Sequence, residues 1–129
     1  MNDSEIIISV IDDDESVRRS LKRLLVSAGF RVKVFCSAKE FLDCGISDRS
    51  VLVLDLQMPE INGFELQEIM TESNNPMPVI FITAHESTEN SVRAMGAGAV
   101  AFLQKPFDHQ SLLDAISKGI ELLAQHAAL

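Results

Sequence analysis

The sequence contains no tryptophan and no tyrosine, and only two of its 129 residues are cysteines. Two thiols argue against a disulfide framework and a zinc site, so Cys36 and Cys44 are predicted to be small buried side chains in a reducing compartment. Positive charge is also scarce, since 11 Lys and Arg face 19 Asp and Glu and the net charge is -8. Such a chain is poorly suited to direct binding of DNA or RNA and better suited to cations or a basic partner surface.

Long apolar runs and targeting signals are absent as well. No hydrophobic stretch approaches the roughly 18 residues of a membrane span, and Met1–Glu5 lacks the basic start of a signal peptide. The sequence also has no repeat, low-complexity segment or internal linker. We therefore predict a single domain over residues 1–129, located in the cytoplasm and without a membrane partner.

Five short apolar segments mark the predicted strands. Each contains four to six residues, most are rich in Val and Ile, and several lack alternation with polar residues. This pattern is typical of strands that are buried on both faces of a sheet. The segments are Ile6–Ile11, Val32–Phe35, Val51–Leu54, Val79–Thr83 and Ala99–Leu103.

A segment with helical character follows each strand. We predict helices with apolar positions from Val17 to Ala28, through Phe41 and Leu42, from Gly63 to Glu72, from Thr88 to Ala97, and from Leu112 to Leu123. Gly29 is predicted to end the first helix, and Asn74-Asn75-Pro76 the third. Ser37 and Glu40 predict a capping box for the second helix. The five-fold alternation predicts a parallel sheet covered by helices on both faces.

Polar side chains that can bind ligands or react lie where the predicted strands end. Asp12–Glu15 follow the first strand, Asp55 follows the third, Thr83 ends the fourth, and Lys105 comes after the fifth. The carboxyl ends of the strands of such a sheet meet at one edge, where ligands bind. The sequence therefore predicts a cluster of carboxylates with one hydroxyl and one ammonium group beside it.

A cluster of carboxylates persists when a cation neutralises it or when its repulsion serves a function. Oxygen ligands without His or Cys select a hard cation, so we expect Mg²⁺ or, alternatively, Mn²⁺. One carboxylate then stays available as a nucleophile, and aspartyl phosphate is an established covalent intermediate. The metal ion and a lysine would stabilise the charge that develops during phosphoryl transfer.

Several residues near these positions have a simpler structural explanation. Asp14 and Glu15 could be extra metal ligands, but a helix N-terminus favours acidic residues, and we expect them to cap the first helix. His85 could be a base, but a carboxylate nucleophile is expected to be ionised at neutral pH and to need no base, so we expect a loop residue that modulates access or water attack. Gly63 is expected where the backbone needs the conformational freedom of glycine.

Four motifs occur in order along the chain. They are Val10-Ile11-Asp12-Asp13-Asp14, Leu54-Asp55-Leu56-Gln57-Met58-Pro59 with Gly63, Ile82-Thr83-Ala84, and Phe102-Leu103-Gln104-Lys105-Pro106-Phe107. Together they resemble the response-regulator receiver family of two-component systems, at the expected spacings and over nearly the whole chain. The resemblance implies a flavodoxin-like α/β fold, with a doubly wound, five-stranded parallel sheet in the order 2-1-3-4-5 and five helices.

The resemblance also implies roles for the metal and phosphoryl ligands. Asp55 matches the phosphoacceptor, which also binds the metal. Asp12 and Asp13 match the acidic pair that holds Mg²⁺, with Asp13 as the direct ligand. The backbone carbonyl of Gln57 is implied as the remaining protein ligand.

The remaining matched positions belong to the implied switch. Thr83 matches the hydroxyl that turns toward the phosphoryl group, and Lys105 matches the ammonium that pairs with it, with a cis bond to Pro106. Asp55, Thr83 and Lys105 are thus the implied catalytic set. Phe102 matches an aromatic position whose rotamer is coupled to Thr83, although a phenylalanine has no hydroxyl to anchor an outward state.

The implied function is signal relay rather than turnover catalysis. A sensor histidine kinase would phosphorylate Asp55, and the surface of the fourth helix, fifth strand and fifth helix would respond, with a phosphorylation-dependent homodimer as one consequence. The chain looks most like receivers joined to helix-turn-helix transcription outputs, so DNA would be reached only through an output domain. Alternatives are a stand-alone receiver that acts by protein–protein binding, a phosphatase with an aspartyl nucleophile, and a degenerate receiver.

Overall fold

The computed structural model describes residues 6–44, 49–73, 77–85 and 87–127. Strands and helices alternate through these residues, as the sequence pattern predicts. The strands are β1 (Ile7–Ile11), β2 (Arg31–Phe35), β3 (Ser50–Asp55), β4 (Val79–Thr83) and β5 (Ala101–Gln104). The helices are α1 (Glu15–Ser27), α2 (Ala38–Asp43), α3 (Gly63–Glu72), α4 (Thr88–Gly96) and α5 (His109–Ala127).

The five strands form one parallel sheet in the order β2-β1-β3-β4-β5, which confirms the predicted flavodoxin-like topology. Every residue of β1, β3 and β4 is buried, as expected for strands covered on both faces. The edge strands are more exposed, and β2 alternates between exposed and half-buried positions until the buried Phe35. The strand order reverses between β1 and β3, which places a ligand crevice at their carboxyl ends.

The helices cover the sheet in two layers, and each layer has its own hydrophobic core. Helices α1 and α5 pack on one face through Leu21, Leu25, Leu112 and Ile116. Helices α2, α3 and α4 cover the other face through residues that include Phe41, Phe64, Leu66 and Ala94. Successive residues of β3 alternate between the two cores, which fixes the strand register because a one-residue slip would exchange the faces. Among the described residues, no helix is long and apolar enough to cross a membrane.

The first helix begins as predicted. The side chain of Asp14 accepts hydrogen bonds from the backbone N–H groups of Ser16 at 2.8 Å and Val17 at 3.4 Å, and Glu15 is the first helical residue. The Ser16 hydroxyl, which donates to Asp14 at 2.7 Å, and then these backbone bonds lower the pKa of Asp14. Gly29 follows the helix in the left-handed region with φ 95°, which suits a C-terminal stop. Asp14 therefore caps the helix as expected, whereas Glu15 places a negative charge in its first turn and pairs with Arg19 at 2.8 Å.

The capping box predicted for the second helix is wrong in one of its two bonds. Ser37 accepts from the Glu40 backbone N–H at 3.1 Å, but the Glu40 carboxylate accepts from the backbone N–H and the thiol of Cys36. Two donors on Cys36 outcompete the single N–H of Ser37. The reciprocal box forms at α3 instead, where Asn62 and Glu65 exchange two bonds of 2.9 Å.

The two cysteines are exposed, contrary to the prediction that they are buried. Cys36 follows the edge strand β2, and Cys44 is the C-cap of α2, so both lie outside the packed layers.

The predicted helix boundaries are close to the observed ones. Helix α3 ends at Glu72 with Ser73 as its C-cap, whereas the predicted breaker Asn74-Asn75-Pro76 lies outside the described residues.

Gly63 is required for a different reason from the one predicted. Its φ is not positive, unlike those of Gly29 and Gly98. A Cβ atom on Gly63 would lie 2.9 Å from the carbonyl oxygen of Asp55 and 3.1 Å from the Cα of Leu56. Both are backbone atoms that cannot move aside, so glycine lets α3 begin directly against the end of β3.

Candidate functional site

The predicted site residues meet at the carboxyl edge of the sheet. Asp12, Asp13 and Asp55 each contribute one carboxylate oxygen, and these oxygens lie within 4.8 Å of one another. The Nζ of Lys105 lies 2.8 Å from Asp12 Oδ2 and 3.8 Å from Asp55 Oδ1. Three loops far apart in sequence thus supply one acidic cluster and its cation.

Asp12 is held by hydrogen bonds on both carboxylate oxygens. It is fully buried, Oδ1 accepts from the backbone N–H of Asp14 at 2.9 Å, and Oδ2 accepts from Lys105. The backbone carbonyl of Asp12 also accepts from Arg18 at 2.7 Å, a contact that the sequence analysis did not anticipate. Arg18 reaches this carbonyl from the start of α1. Its position four residues after the N-cap Asp14 is the sequence feature that could have predicted the contact.

Asp13 differs from Asp12 in exposure, although it is the next residue along the chain. Its side chain is exposed, whereas Asp12 is buried and paired with Lys105. An ion arriving from solvent therefore meets Asp13 without first displacing a lysine. That Asp13 is the direct metal ligand stays a prediction.

Asp55 combines burial with negative neighbours. It is 4% exposed, and burial, followed by the nearby Asp12 carboxylate, raises the pKa of Asp55 to about 7. Lys105 and the backbone N–H of Gln57, which donates to Asp55 Oδ1 at 3.3 Å, act in the opposite direction. The expectation that this carboxylate is simply ionised at neutral pH is therefore wrong for the metal-free site. A bound cation would favour the ionised form.

The Thr83 hydroxyl is engaged with the loop that follows β4. Thr83 is fully buried, its Oγ1 donates to the backbone carbonyl of His85 at 3.1 Å, and the same oxygen accepts from the His85 N–H at 3.2 Å. His85 is therefore connected to the site through its backbone, which the sequence analysis missed. A threonine hydroxyl commonly bonds the backbone two residues later in a turn, so Thr83 at the end of β4 was the available sequence signal.

Lys105 and Phe102 complete the arrangement. The Lys105-Pro106 bond is cis, as predicted, and the backbone N–H of Lys105 donates to the carbonyl of Thr83 at 2.7 Å, which ties the end of β5 to β4. Phe102 is half-buried against the core that contains Phe81, with which it is paired across the sheet. The coupling of this ring to Thr83 stays a prediction.

The donor set fits a hard divalent cation. Three carboxylates converge, and no histidine or cysteine belongs to the cluster. Such oxygen ligands suit Mg²⁺ or Mn²⁺, and a single Mg²⁺ needs one or two carboxylates and keeps several waters. Burial and then the Asp12 carboxylate raise the pKa of Asp55, and a bound cation would oppose that effect. The acidic cluster could therefore hold a metal ion.

Comparisons with known proteins agree with this geometry. The sequence profile of the response regulator receiver domain matches residues 8–117. The chain is 41% identical over 126 residues to the response regulator protein TmoT of Ectopseudomonas mendocina, covering 97% of the chain and 57% of that protein. It is 40% identical over 116 residues to the transcriptional regulatory protein TdiR of Thauera aromatica, covering 89% of the chain and 51% of that protein.

A solved structure extends the similarity to three dimensions. The response regulator StyR superimposes with a TM-score of 0.90 at 46% identity, and the match covers 96% of this chain and 63% of that one. The chain thus spans little more than half the length of the relatives that it matches. The profile match, the shared sheet topology and the acidic cluster agree, and the chain belongs to the response regulator receiver domain family of two-component signalling.

Proposed function

We propose that the chain is a Mg²⁺-dependent phosphoryl acceptor and that a sensor histidine kinase phosphorylates it at Asp55. The observation that carries this proposal is the buried Asp55 carboxylate between the acidic pair and Lys105. A carboxylate in this setting can act as a nucleophile toward phosphorus, and the neighbouring ammonium can stabilise anionic oxygens. Asp12, Asp13, Asp55 and the backbone carbonyl of Gln57 would hold Mg²⁺, which supplies further charge stabilisation during transfer.

The transfer step is a displacement at phosphorus. An Oδ atom of Asp55 forms a bond to the phosphorus atom of the donor phosphohistidine, and the P–N bond breaks. The electron pair of that bond stays on the imidazole nitrogen of the kinase, and Asp55 becomes an acyl phosphate. Hydrolysis of the acyl phosphate by water resets the domain. Each event is stoichiometric, which is why the chain is a switch rather than a turnover enzyme.

The conformational switch is proposed to involve Lys105 and Thr83, whose side chains are hydrogen-bonded to groups other than Asp55 in this structure. Lys105 is bonded to Asp12 and lies 3.8 Å from Asp55, so a small movement suffices to reach phosphoryl oxygens on Asp55. Thr83 must exchange its bonds to the His85 backbone for a bond to the phosphoryl group. Phe102 packs inward and would accompany the change in Thr83.

The output is proposed from the relatives. TdiR is a transcriptional regulatory protein about twice as long as the matched region, so we infer that this receiver, a single domain over residues 1–129, controls transcription in the cytoplasm through an output that binds DNA. The alternative is a stand-alone receiver that acts through protein–protein contacts. The acidic net charge of -8 favours either arrangement over direct DNA binding by this chain.

The function is tested by labelling with acetyl phosphate, a small phosphodonor. We expect intact mass to rise by one phosphoryl group per chain in millimolar Mg²⁺ and to stay unchanged in EDTA, because the acidic cluster repels an anionic donor without a cation. A phosphatase would instead turn over a generic phosphomonoester many times per chain. Such turnover, or labelling that is equal in EDTA, would contradict the proposal.

The metal site is tested by the Asp13→Asn variant. In EDTA we expect it to melt higher than the parent, because one of three clustered carboxylates is removed, and like charges at these distances repel by up to roughly a few kcal/mol before screening. In millimolar Mg²⁺ the parent should gain stability by binding the ion only when folded, and the variant should gain little. A variant that melts lower in EDTA and keeps the full Mg²⁺ response would show that Asp13 is an ordinary surface residue.

Phosphorylation is expected to promote self-association through the face formed by α4, β5 and α5. Two large apolar side chains of α4 are exposed there, Val92 at 66% and Met95 at 51%. Analytical ultracentrifugation should show a larger mass when beryllofluoride, a stable phosphoryl mimic, is added with Mg²⁺. Val92→Glu should weaken this association, whereas Val26→Glu, at a similarly exposed position on α1, should not. An unchanged mass across micromolar concentrations would favour relay to a different protein.

A further inference from the structure

Helix α4 buries little of its side-chain surface against the rest of the molecule. Of its residues, Thr88–Gly96, only Ala94 is buried, and two of the apolar ones point into solvent. Few buried apolar contacts mark an element whose position can change at low free energy. The contacts that hold α4 therefore decide which position it adopts.

Two of these contacts connect α4 to α3. The guanidinium carbon of Arg93 lies 4.1 Å from the centroid of the Phe64 ring, and the side-chain amide of Gln67 donates to the carbonyl of Ala97, the C-cap of α4, at 3.3 Å. Within the part of the chain that the structure describes, the side chain of Arg93 makes no hydrogen bond or ion pair. The stack on Phe64 is therefore the specific contact of this exposed arginine.

Phe64 is held against β3, which ends in Asp55, and against β4, which ends in Thr83. The preceding residue, Gly63, donates its N–H to the carbonyl of Leu56 at 3.0 Å and packs directly on the carbonyl of Asp55. The Phe64 ring itself is 8% exposed and lies 5.1 Å from the ring of Phe81, two residues before the switch hydroxyl on β4. The stack thus joins α4 to a buried ring that packs beside the site.

The β4–α4 loop connects the same helix to the switch hydroxyl. Thr83 is bonded to the backbone of His85, and Ser87 caps α4 two residues later. If Thr83 turns toward a phosphoryl group, it releases this loop and the start of α4, while Phe64 stays in place. A cleft of about 500 Å³ beside the stack, lined by Gln57, Asn62 and Asn90, leaves room for Arg93 to move away from the ring.

We propose that Arg93 is a positioning residue, and that its stack on Phe64 holds α4 in the unphosphorylated arrangement and opposes the phosphorylated one. The proposal rests on the proposed function, since it needs a phosphoryl-dependent movement of α4. A contact made in one state alone shifts the equilibrium by its own free energy. The free energy of a cation–π contact at an exposed site changes such an equilibrium constant by about two- to fivefold.

The test is a titration of the domain with beryllofluoride in millimolar Mg²⁺. We expect Arg93→Ala to bind about two- to fivefold more tightly than the parent, because the opposing contact is gone. Arg93→Lys, which keeps a cation over the ring, should bind like the parent. Phe64→Leu should reproduce the gain, and the double variant should gain little more than either single variant.

A matched control separates the stack from the general effect of charge. Arg23 is exposed on α1, and Arg23→Ala removes the same charge away from the stack. Since beryllofluoride is anionic, charge loss alone weakens binding, which is opposite in sign to the effect expected for Arg93→Ala. Structural damage likewise weakens binding and does not strengthen it.

The outcomes distinguish this inference from the function on which it rests. If the parent binds beryllofluoride with Mg²⁺ and Arg93→Ala binds equally or more weakly, the positioning role is overturned and the proposed function stands. If the parent itself does not bind, both are overturned. Tighter binding by Arg93→Ala with parental binding by Arg93→Lys establishes the role.

Discussion

The Asp55→Asn variant is expected to lose phosphoryl labelling completely, from one group per chain to background, in acetyl phosphate and Mg²⁺. An amide has nearly the same shape as the carboxylate that it replaces, but it offers no anionic oxygen to attack phosphorus. Asp55 ends β3, whereas Asp12 and Asp13 follow β1 and Asp12 is paired with Lys105, so we expect neither to replace it as the nucleophile. Intact-mass spectrometry measures the effect directly.

The matched control is Asp14→Asn, close to the same cluster. Asp14 is exposed and caps α1, and asparagine is an equally good N-cap, so this variant should stay folded and label like the parent. A thermal melt of both variants confirms that any loss of labelling is chemical. Equal labelling of Asp55→Asn and the parent would place the nucleophile elsewhere in the cluster and refute the assignment of Asp55.

The metal-free domain is expected to lose stability as pH rises from about 4 through about 7. The pKa of Asp55 is about 7 in the folded state, whereas an unfolded aspartate titrates near 3.9. Between these values the folded state binds a proton that the unfolded state has released, so a rise in pH favours unfolding. The stabilisation from protonated Asp55 is fully present below about pH 4 and lost through pH 7. Its size is of the order of a few kcal/mol.

The measurement is the unfolding free energy from urea denaturation in EDTA between pH 5 and 8, for the parent and Asp55→Asn. The difference between the two proteins reports on Asp55 and its coupling to Asp12, because all other titratable groups are common to both. The variant should be the more stable of the two at pH 8, and the gap should narrow toward pH 5. Saturating Mg²⁺ should remove most of the parent's loss at pH 8. Parallel curves in EDTA would show that Asp55 has an ordinary pKa in the folded domain.

Much of the site follows from local sequence features. The periodicity that places Asp55 and Thr83 at strand ends is visible over a few residues, because a buried strand must be apolar along its length. The topology of a parallel sheet then brings those ends together. The N-cap at Asp14 is likewise a contact between residues two and three positions apart, so the pattern Asp-Glu-Ser predicts it.

What the sequence could not specify depends on contacts between elements and on removal from water. The pKa of Asp55 near 7 arises first from burial and then from Asp12, and neither is a property of the aspartate's own neighbours in sequence. Glu40 bonds Cys36 instead of Ser37 because two donors converge on it in the folded loop. The stack of Arg93 on Phe64 joins residues of two helices that meet only when both pack on the sheet. Sequence by itself determined the elements and the residue types at their ends, whereas tertiary packing decided the charge state of the nucleophile and the contacts that hold the switch.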